Sequence, residues 1–405
     1  RSSAMAAASL DAYVEAAACP LISLVGLAHL HGALSQRARP PTEEPAPRYL
    51  SFATDTAYVE HQPPPSGTHP ELVLKHGWLH KRLHVSSAVA VLWCRWDSST
   101  SPTAVAAQLE ALRRSRRRSS RVLLVLVHTP GEAAPQSTAG DERLSALRRA
   151  CDLEPRTTLL VDTDATGQTI SSDSAGRVER TAVEAALAHY RDEVRRARKP
   201  KGLPPQRAAR QHFKRAFYSE LARDAPGAEK HWVQAYASLR ELLRVIGFSS
   251  PGATPPTDAE KAVSFGVPLH EVKRVAEFVN RKLYLAALAV PGRQPDGFAL
   301  FQAHMRLFRA LVQRPVQPPV DQRQGAAAAH LHHGWLGKQY RAFARRVELL
   351  PAHTPTAAAP AASAELAAYG EPGFYYHAAA RCALERRKQA EALMAHEAGR
   401  AACGG

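Results

Sequence analysis

Cysteine is sparse in this chain. Its five copies, Cys19, Cys94, Cys151, Cys382 and Cys403, are scattered and never spaced as Cys-x-x-Cys. That pattern argues against a disulfide framework and a zinc ribbon, and it fits a reducing compartment. No apolar run approaches the roughly 18 residues that a membrane span needs. The apolar stretch from Leu21 to Leu30 follows Asp11 and Glu15 with no basic leader, and Pro20 interrupts its approach, so it does not read as a signal peptide. No Gly-x-Gly-x-x-Gly or Walker loop follows any strand-like run, and no His-Glu-x-x-His occurs. Nucleotide binding by those loops and zinc-protease chemistry therefore have no support. Acidic residues are outnumbered, 37 against 53 basic, for a net charge of +16 that comes mainly from arginine. Such a surplus permits contact with acidic lipid, acidic proteins or nucleic acid and does not choose among them.

What is present suggests two domains. A chain of 405 residues with 45% hydrophobic content can bury two cores. Residues 1–18 are expected to be a disordered N-terminal segment. From 19 to 200, short apolar runs alternate with helical patterns. The runs are Leu21–Leu27, Ala88–Trp93, Arg121–Val127 and Thr157–Val161, and helical spacing appears over Thr103–Arg114, Asp141–Cys151 and Glu179–Arg196. Runs that are apolar throughout, with no alternation, predict strands covered on both faces, hence an α/β domain with a mostly parallel covered sheet. The proline-rich stretches 39–47 and 62–70 read as loops.

Beyond Lys199–Pro205, read as a linker, the strand signal ends. Phe213, Phe217 and Leu221 share a helical face, and Trp232, Tyr236, Leu239 and Leu243 continue the rhythm after a turn at Pro226-Gly227. Val272 to Leu283 and Phe298 to Val312 repeat it, separated by Pro291-Gly292. Leu336 to Val347 and a segment starting at Pro372 follow, with proline-rich interruptions at 250–256 and 351–360. Residues 201–400 therefore predict an all-α, tetratricopeptide-like α-solenoid. The chain opens on Arg1 in place of methionine, and a longer parent protein is expected.

Several motifs invite chemistry. Asp162-Thr-Asp164-Ala-Thr166, at the end of a strand, is similar to the nucleophile and acid pair of haloacid-dehalogenase phosphatases. That chemistry also needs a lysine and a magnesium-holding acidic pair, and the competing reading is a strand-to-loop turn that satisfies its own backbone. The stretch from Asp162 to Asp173 partly matches a calcium loop, but closes on aspartate where glutamate is usual and follows no helix. His76, His80 and His84 recur at four-residue steps, and His330, His332 and His333 cluster, without the glutamate a catalytic zinc site uses. The basic runs 113–118 and 195–201 contain no interleaved aromatics, so solvated helix ends are favoured over nucleic-acid contact. No catalytic, cofactor-binding or metal site is assigned.

One further pattern spans nearly the whole chain. Gly77-Trp78-Leu-His-Lys-Arg-Leu83 leads into Ala88–Trp93 and Trp96-Asp97; Arg210–Leu221 is followed by Ala235-Tyr236 and Glu241-Leu242. Phe278–Leu283, Phe301–His304, Gly334–Tyr340 and Pro372-Gly-Phe374-Tyr375-Tyr376 continue in order. Their collinear order, over residues 19 to 398, resembles the foie gras domain family, which occurs in the TRAPP vesicle-tethering assembly. The resemblance implies a non-catalytic scaffold subunit acting in ER-to-Golgi transport, with autophagy as a second setting. It implies a cytoplasmic location peripheral to the Golgi, other TRAPP subunits as partners, a Rab GTPase reached through the complex, peripheral Golgi membrane contact, no cofactor and no nucleic acid. Phe374, Tyr375 and Tyr376 are the interface candidates; the alternative is that they anchor the last helix pair, since aromatics at helix starts usually pack inward. The competing functions are a phosphatase using Asp162 and Asp164, and a basic solenoid adaptor for RNA.

Overall fold

The protein is described by a computed structural model covering residues 13–14, 18–37, 45–61, 73–75, 77–115, 121–130, 138–197, 199, 202–245, 269–312, 322–350 and 370–403. Compact packing divides it into two units, Arg1–Ser238 with Gly266–Glu271 and Leu239–Phe265 with Val272–Gly405.

The first unit is built on one sheet. Strands β1 (Leu21–Val25), β2 (Arg48–Phe52), β3 (Val89–Arg95), β4 (Arg121–His128) and β5 (Thr158–Asp162) lie in the order β2-β1-β3-β4-β5, and every pairing is parallel. Side chains of β1, β3 and β4 are almost continuously buried because helices cover both faces. One face packs against α2 (Asp55–His61), α4 (Pro102–Ser115) and α5 (Thr138–Ala150), through Leu92, Leu109, Leu126 and Leu147. The other carries α1 (Gly32–Ser35) and α6 (Ser172–Arg196). A short helix, α3 (Trp78–His80), passes into a π-helical turn ahead of β3.

Sequence and structure differ at identifiable places. β2 was not expected: Arg48-Tyr-Leu-Ser-Phe52 is an edge strand, only partly buried, so it has no continuous apolar run. β1 stops at Val25, two residues short of the apolar run, because Gly26 and Leu27 both turn left-handed, at φ 81° and 40°. α6 begins at Ser172, seven residues ahead of the expected start. Its N-cap Ser171 accepts a hydrogen bond from Ser174 N at 3.1 Å, a signal outside the apolar periodicity. Tyr13 and Val14, in the stretch expected to be disordered, are helical and buried, and Tyr13 Oη donates to Glu220 Oε2 at 2.8 Å. The other residues from 1 to 12, the proline-rich stretch 62–70, most of 39–47, and stretches 250–256 and 351–360 lie outside the described residues.

Helix α7 (Pro205–Leu221) packs along α6 within the first unit, so the division between units falls inside α8 (Ala225–Val245) rather than at the expected linker. Pro226 and Gly227 sit in the first turn of α8, not in a loop; proline is tolerated there because its missing N–H would have had no partner. Asp224 Oδ1 accepts from Gly227 N at 3.0 Å and starts the helix.

The second unit continues with α9 (Leu269–Leu288), α10 (Gln294–Val312), α11 (Gln322–Glu348) and α12 (Pro372–Cys403). Among its described residues it is helical, as the sequence predicts. The turn at Pro291-Gly292 falls between α9 and α10, with Gly292 at φ 84°. Helices α11 and α12 run against each other over most of their described length.

Candidate functional site

The motif blocks quoted from the sequence turn out to be packing devices. Trp78 sets its indole against Phe213, Phe217 and Tyr218 of α7, with ring centroids 6.2, 5.1 and 6.0 Å away. Trp96 is buried, and Arg143 stacks over it at 4.9 Å while donating to the carbonyls of Asp97 and Thr100. Asp97 Oδ1 accepts from the N–H and hydroxyl groups of Ser99 and Thr100, which holds its carboxyl below the usual carboxylate range. The Trp-Asp pair therefore closes the β3–α4 loop.

In the second unit, Phe301 and Phe343 stack face to face at 3.9 Å and 8°. Tyr340 and Tyr284 meet them edge-on, at 5.6 Å from Phe301 and 4.9 Å from Phe343. Tyr375 completes the group, fully buried, 4.7 Å from Phe343 and 5.7 Å from Phe301. The three interface candidates thus separate: Tyr375 is core, while Phe374 and Tyr376 face outward at 46% and 36% exposure. Helical geometry explains the split, because successive residues point about 100° apart and only Tyr375 enters the core, while the half-exposed Tyr376 reaches Glu348 and Arg345 of α11 with its hydroxyl.

The catalytic motifs are not brought together. Asp162 ends β5 with its side chain largely in solvent, 3.4 Å from His128 Nδ1. Asp164 is used by its own turn: Oδ1 accepts from Gln168 N and Thr169 N at 2.9 and 3.2 Å, and Oδ2 accepts from Thr166 Oγ1 at 2.8 Å. Those bonds, led by Thr166, pull its carboxyl down to about 2. A carboxylate held ionised in this way is a poor general acid. Asp173, the closing residue of the calcium-loop reading, lies in the first turn of α6.

The histidines are engaged separately. His76 lies outside the described residues, and the rings of His80 and His84 are 5.0 Å apart. His330 bonds Arg386 through both ring nitrogens, while His332 Nδ1 faces Lys273 Nζ at 3.1 Å. Among the described residues no group of three His, Cys, Asp or Glu side chains is placed to hold a metal. The described parts of the basic runs are helix ends. Arg113 and Arg114 pair with Glu110, and Arg195 and Arg196 pair with Asp192 and Glu193, all within one helical turn. Exposed pairs of this kind add little stability, and their position suits the helix dipole. Residues 116–118, 198, 200 and 201 lie outside the described residues. No helix among the described residues is long and apolar enough to cross a membrane.

One cleft went unforeseen. The chain leaves β1 toward one face of the sheet and β3 toward the other, and such a switch point opens a crevice at the strands' carboxyl ends. Here it is about 360 Å³, lined by Gly26, Leu27, Asp55, Cys94, Arg95 and Gln108 among others. Cys94 Sγ donates to Gln108 Oε1 at 3.4 Å, and burial pushes its thiol up to about 12. It stays protonated at neutral pH and offers no thiolate nucleophile. Without β2 the strand order, and so the crevice, could not be read from the sequence.

Among the described residues, a covered parallel sheet followed by a helical region with an aromatic core defines the fold class. Residues 269–402 match the family model described as Foie gras liver health family 1. The chain is similar to trafficking protein particle complex subunit 11 of Bos taurus, with 28% identity over 350 residues, and to the Homo sapiens and Gallus gallus proteins of that name at 27%. Each alignment covers 81% of this chain and 26% of the relative. The chain thus spans about a quarter of the length of the curated relatives it matches.

Proposed function

We propose that this chain forms part of a subunit of a trafficking protein particle complex and acts there as a non-catalytic scaffold. One observation carries the proposal: residues 269–402, which match the family model, hold the aromatic cluster of Phe301, Phe343 and Tyr375 in place of any assembled catalytic set among the described residues. In this reading the subunit works in ER-to-Golgi vesicle transport, in the cytoplasm at the Golgi periphery. Other subunits of the complex are its partners, and a Rab GTPase is met through the complex.

Affinity purification of the full-length protein from its own cells tests this directly. Co-purification of other tethering subunits is the expected result; a preparation free of them overturns the assignment. Phe374 and Tyr376 are the proposed partner contacts. The double substitution Phe374→Ser with Tyr376→Ala is expected to lose partner subunits while leaving the melting temperature unchanged. A large melting drop instead would assign these side chains to the fold.

The phosphatase reading is disfavoured by the geometry of Asp164. It predicts magnesium-dependent hydrolysis of a generic phosphate ester that vanishes in Asp162→Asn; the expected result is background hydrolysis in both proteins. The adaptor reading predicts salt-sensitive retention on RNA with a steep slope, and nothing in the helix-end pairing of the arginines favours it.

A further inference from the structure

The turn that carries Trp78 also gathers positive charge. The Trp78 ring centroid lies 5.9 Å from Lys214 Nζ and 6.0 Å from the ring of Tyr218, over which the Arg82 guanidinium sits at 5.9 Å. Lys75 precedes Trp78 by one turn, and its carbonyl accepts from Trp78 N at 3.0 Å. Arg210, one turn ahead of Lys214 on α7, donates from Nε to Val73 O at 2.9 Å. Four cations from two chain segments thus surround one indole, all of them inside the first unit. Lys75 is exposed, while Arg82, Arg210, Lys214 and Trp78 are partly buried, so none is sealed from solvent.

The charge is poorly offset. Among the described residues the side chains of Lys75, Arg82 and Lys214 make no hydrogen bond or ion pair. Two acids stand nearby and are used elsewhere: Glu193 of α6 pairs with Arg196 at 3.3 Å, and Glu271 Oε1 accepts from Leu74 N at 3.1 Å. Burial, and then the charges of Arg210, Arg82 and Lys75, hold the Lys214 ammonium below the usual lysine range, against the pull of Glu193. Like charges one helical turn apart cost stability. A fold that keeps such a cost where solvent can enter has the pattern of a binding site.

We propose that Lys75, Arg82, Arg210 and Lys214 form a binding site for a phosphorylated serine or threonine of a partner protein. A phosphoryl group brings close to two negative charges and three acceptor oxygens to a single point. Guanidinium and ammonium groups are its natural donors, and a converging set of them suits one compact dianion. A carboxylate carries a single charge, so several would have to meet at the same indole. A membrane spreads its charge over a plane and favours extended side chains, whereas three of these four cations are drawn in beside aromatic rings. Single-stranded RNA wants a row of open stacking faces, and here the one partly exposed indole already packs on Phe217 and Tyr218. The site does not depend on the trafficking assignment.

The immobilised full chain is offered two fluorescein-labelled peptide libraries with randomised flanks, one fixed on a central phosphoserine and the other on serine. The phosphoserine library is expected to be retained at least about tenfold better. Lys75→Gln should weaken that preference, and Lys75→Gln with Arg82→Gln should abolish it. Lys388→Gln, at an exposed lysine of α12 paired with Glu385, should leave it intact. The melting temperature of Lys75→Gln should be equal to or above that of the unsubstituted chain, because the substitution relieves repulsion and breaks no bond. Equal retention of the two libraries, or a preference that survives both substitutions, would overturn the proposal. So would a melting drop in Lys75→Gln that accompanies the lost retention, since the cluster would then serve the fold. Tighter retention of phosphatidylinositol phosphate vesicles or polyuridylate RNA than of phosphopeptide, sensitive to the same substitutions, would reassign the cluster to membrane or nucleic acid and overturn it as well.

Discussion

Tyr375→Ala is expected to unfold the second unit under conditions in which the unsubstituted chain is stable. The ring is fully buried against Phe301 and Phe343, with Tyr284 and Tyr340 in the same cluster. Cutting an aromatic side chain back to Cβ removes its transfer free energy and leaves a cavity, a loss of about 3–5 kcal/mol for rings of this size. For a unit of this length a loss of about 4 kcal/mol lowers the melting midpoint by about 8–16 °C. Trp335, the single tryptophan of that unit, reports the transition by fluorescence. The neighbouring Tyr376→Ala should change it much less, because that ring is partly in solvent and the substitution removes only its hydroxyl's contacts with Glu348 and Arg345 and leaves no core cavity. Comparable shifts for the two substitutions would mean that the face of α12 turned to the core is wrongly assigned.

Gly26→Ala is expected to be the most damaging single methyl addition in the first unit. Gly26 ends β1 at φ 81°, and a Cβ there would lie 2.4 Å from the backbone oxygen of Trp93 in the neighbouring strand. Its N–H also donates to Phe52 O at 3.0 Å, so the residue joins the ends of β2 and β3. A left-handed non-glycine residue costs about 1–2 kcal/mol and an overpacked contact about 1–3 more, together about 2–5 kcal/mol. Urea unfolding followed through the first unit's tryptophans measures this. A change below about 0.5 kcal/mol, the size of an ordinary surface substitution, would show that the sheet can open at this point without cost.

The elements legible in the sequence share one property: their burial is dense and periodic. β3 and β4 declare themselves because both faces are covered, and α9 to α11 because one apolar stripe recurs along each. β2 was hidden because an edge strand buries little, and the start of α6 because Ser171 acts through a hydrogen bond and not through hydrophobic spacing. The candidate site was less legible than the fold. The Asp162–Asp164 motif looks the same on paper whether its carboxylates meet a metal or cap a turn, and only the direction of the Asp164 oxygens separates the two. Arg82 and Lys214 sit in separate blocks of the sequence; their proximity follows from the packing of Trp78 on α7.

By itself the sequence determined the class of each half, a covered parallel sheet and then stacked helices, together with the aromatic blocks that relate the chain to the foie gras family. These depend on local periodicity and composition, which the order of residues states directly. Tertiary structure alone decided that Tyr375 faces inward while Phe374 and Tyr376 face out, that the strand order opens a crevice between β1 and β3, and that four cations gather around one indole. Those facts depend on which distant surfaces meet, and burial and electrostatic environment are properties of the meeting and not of either residue.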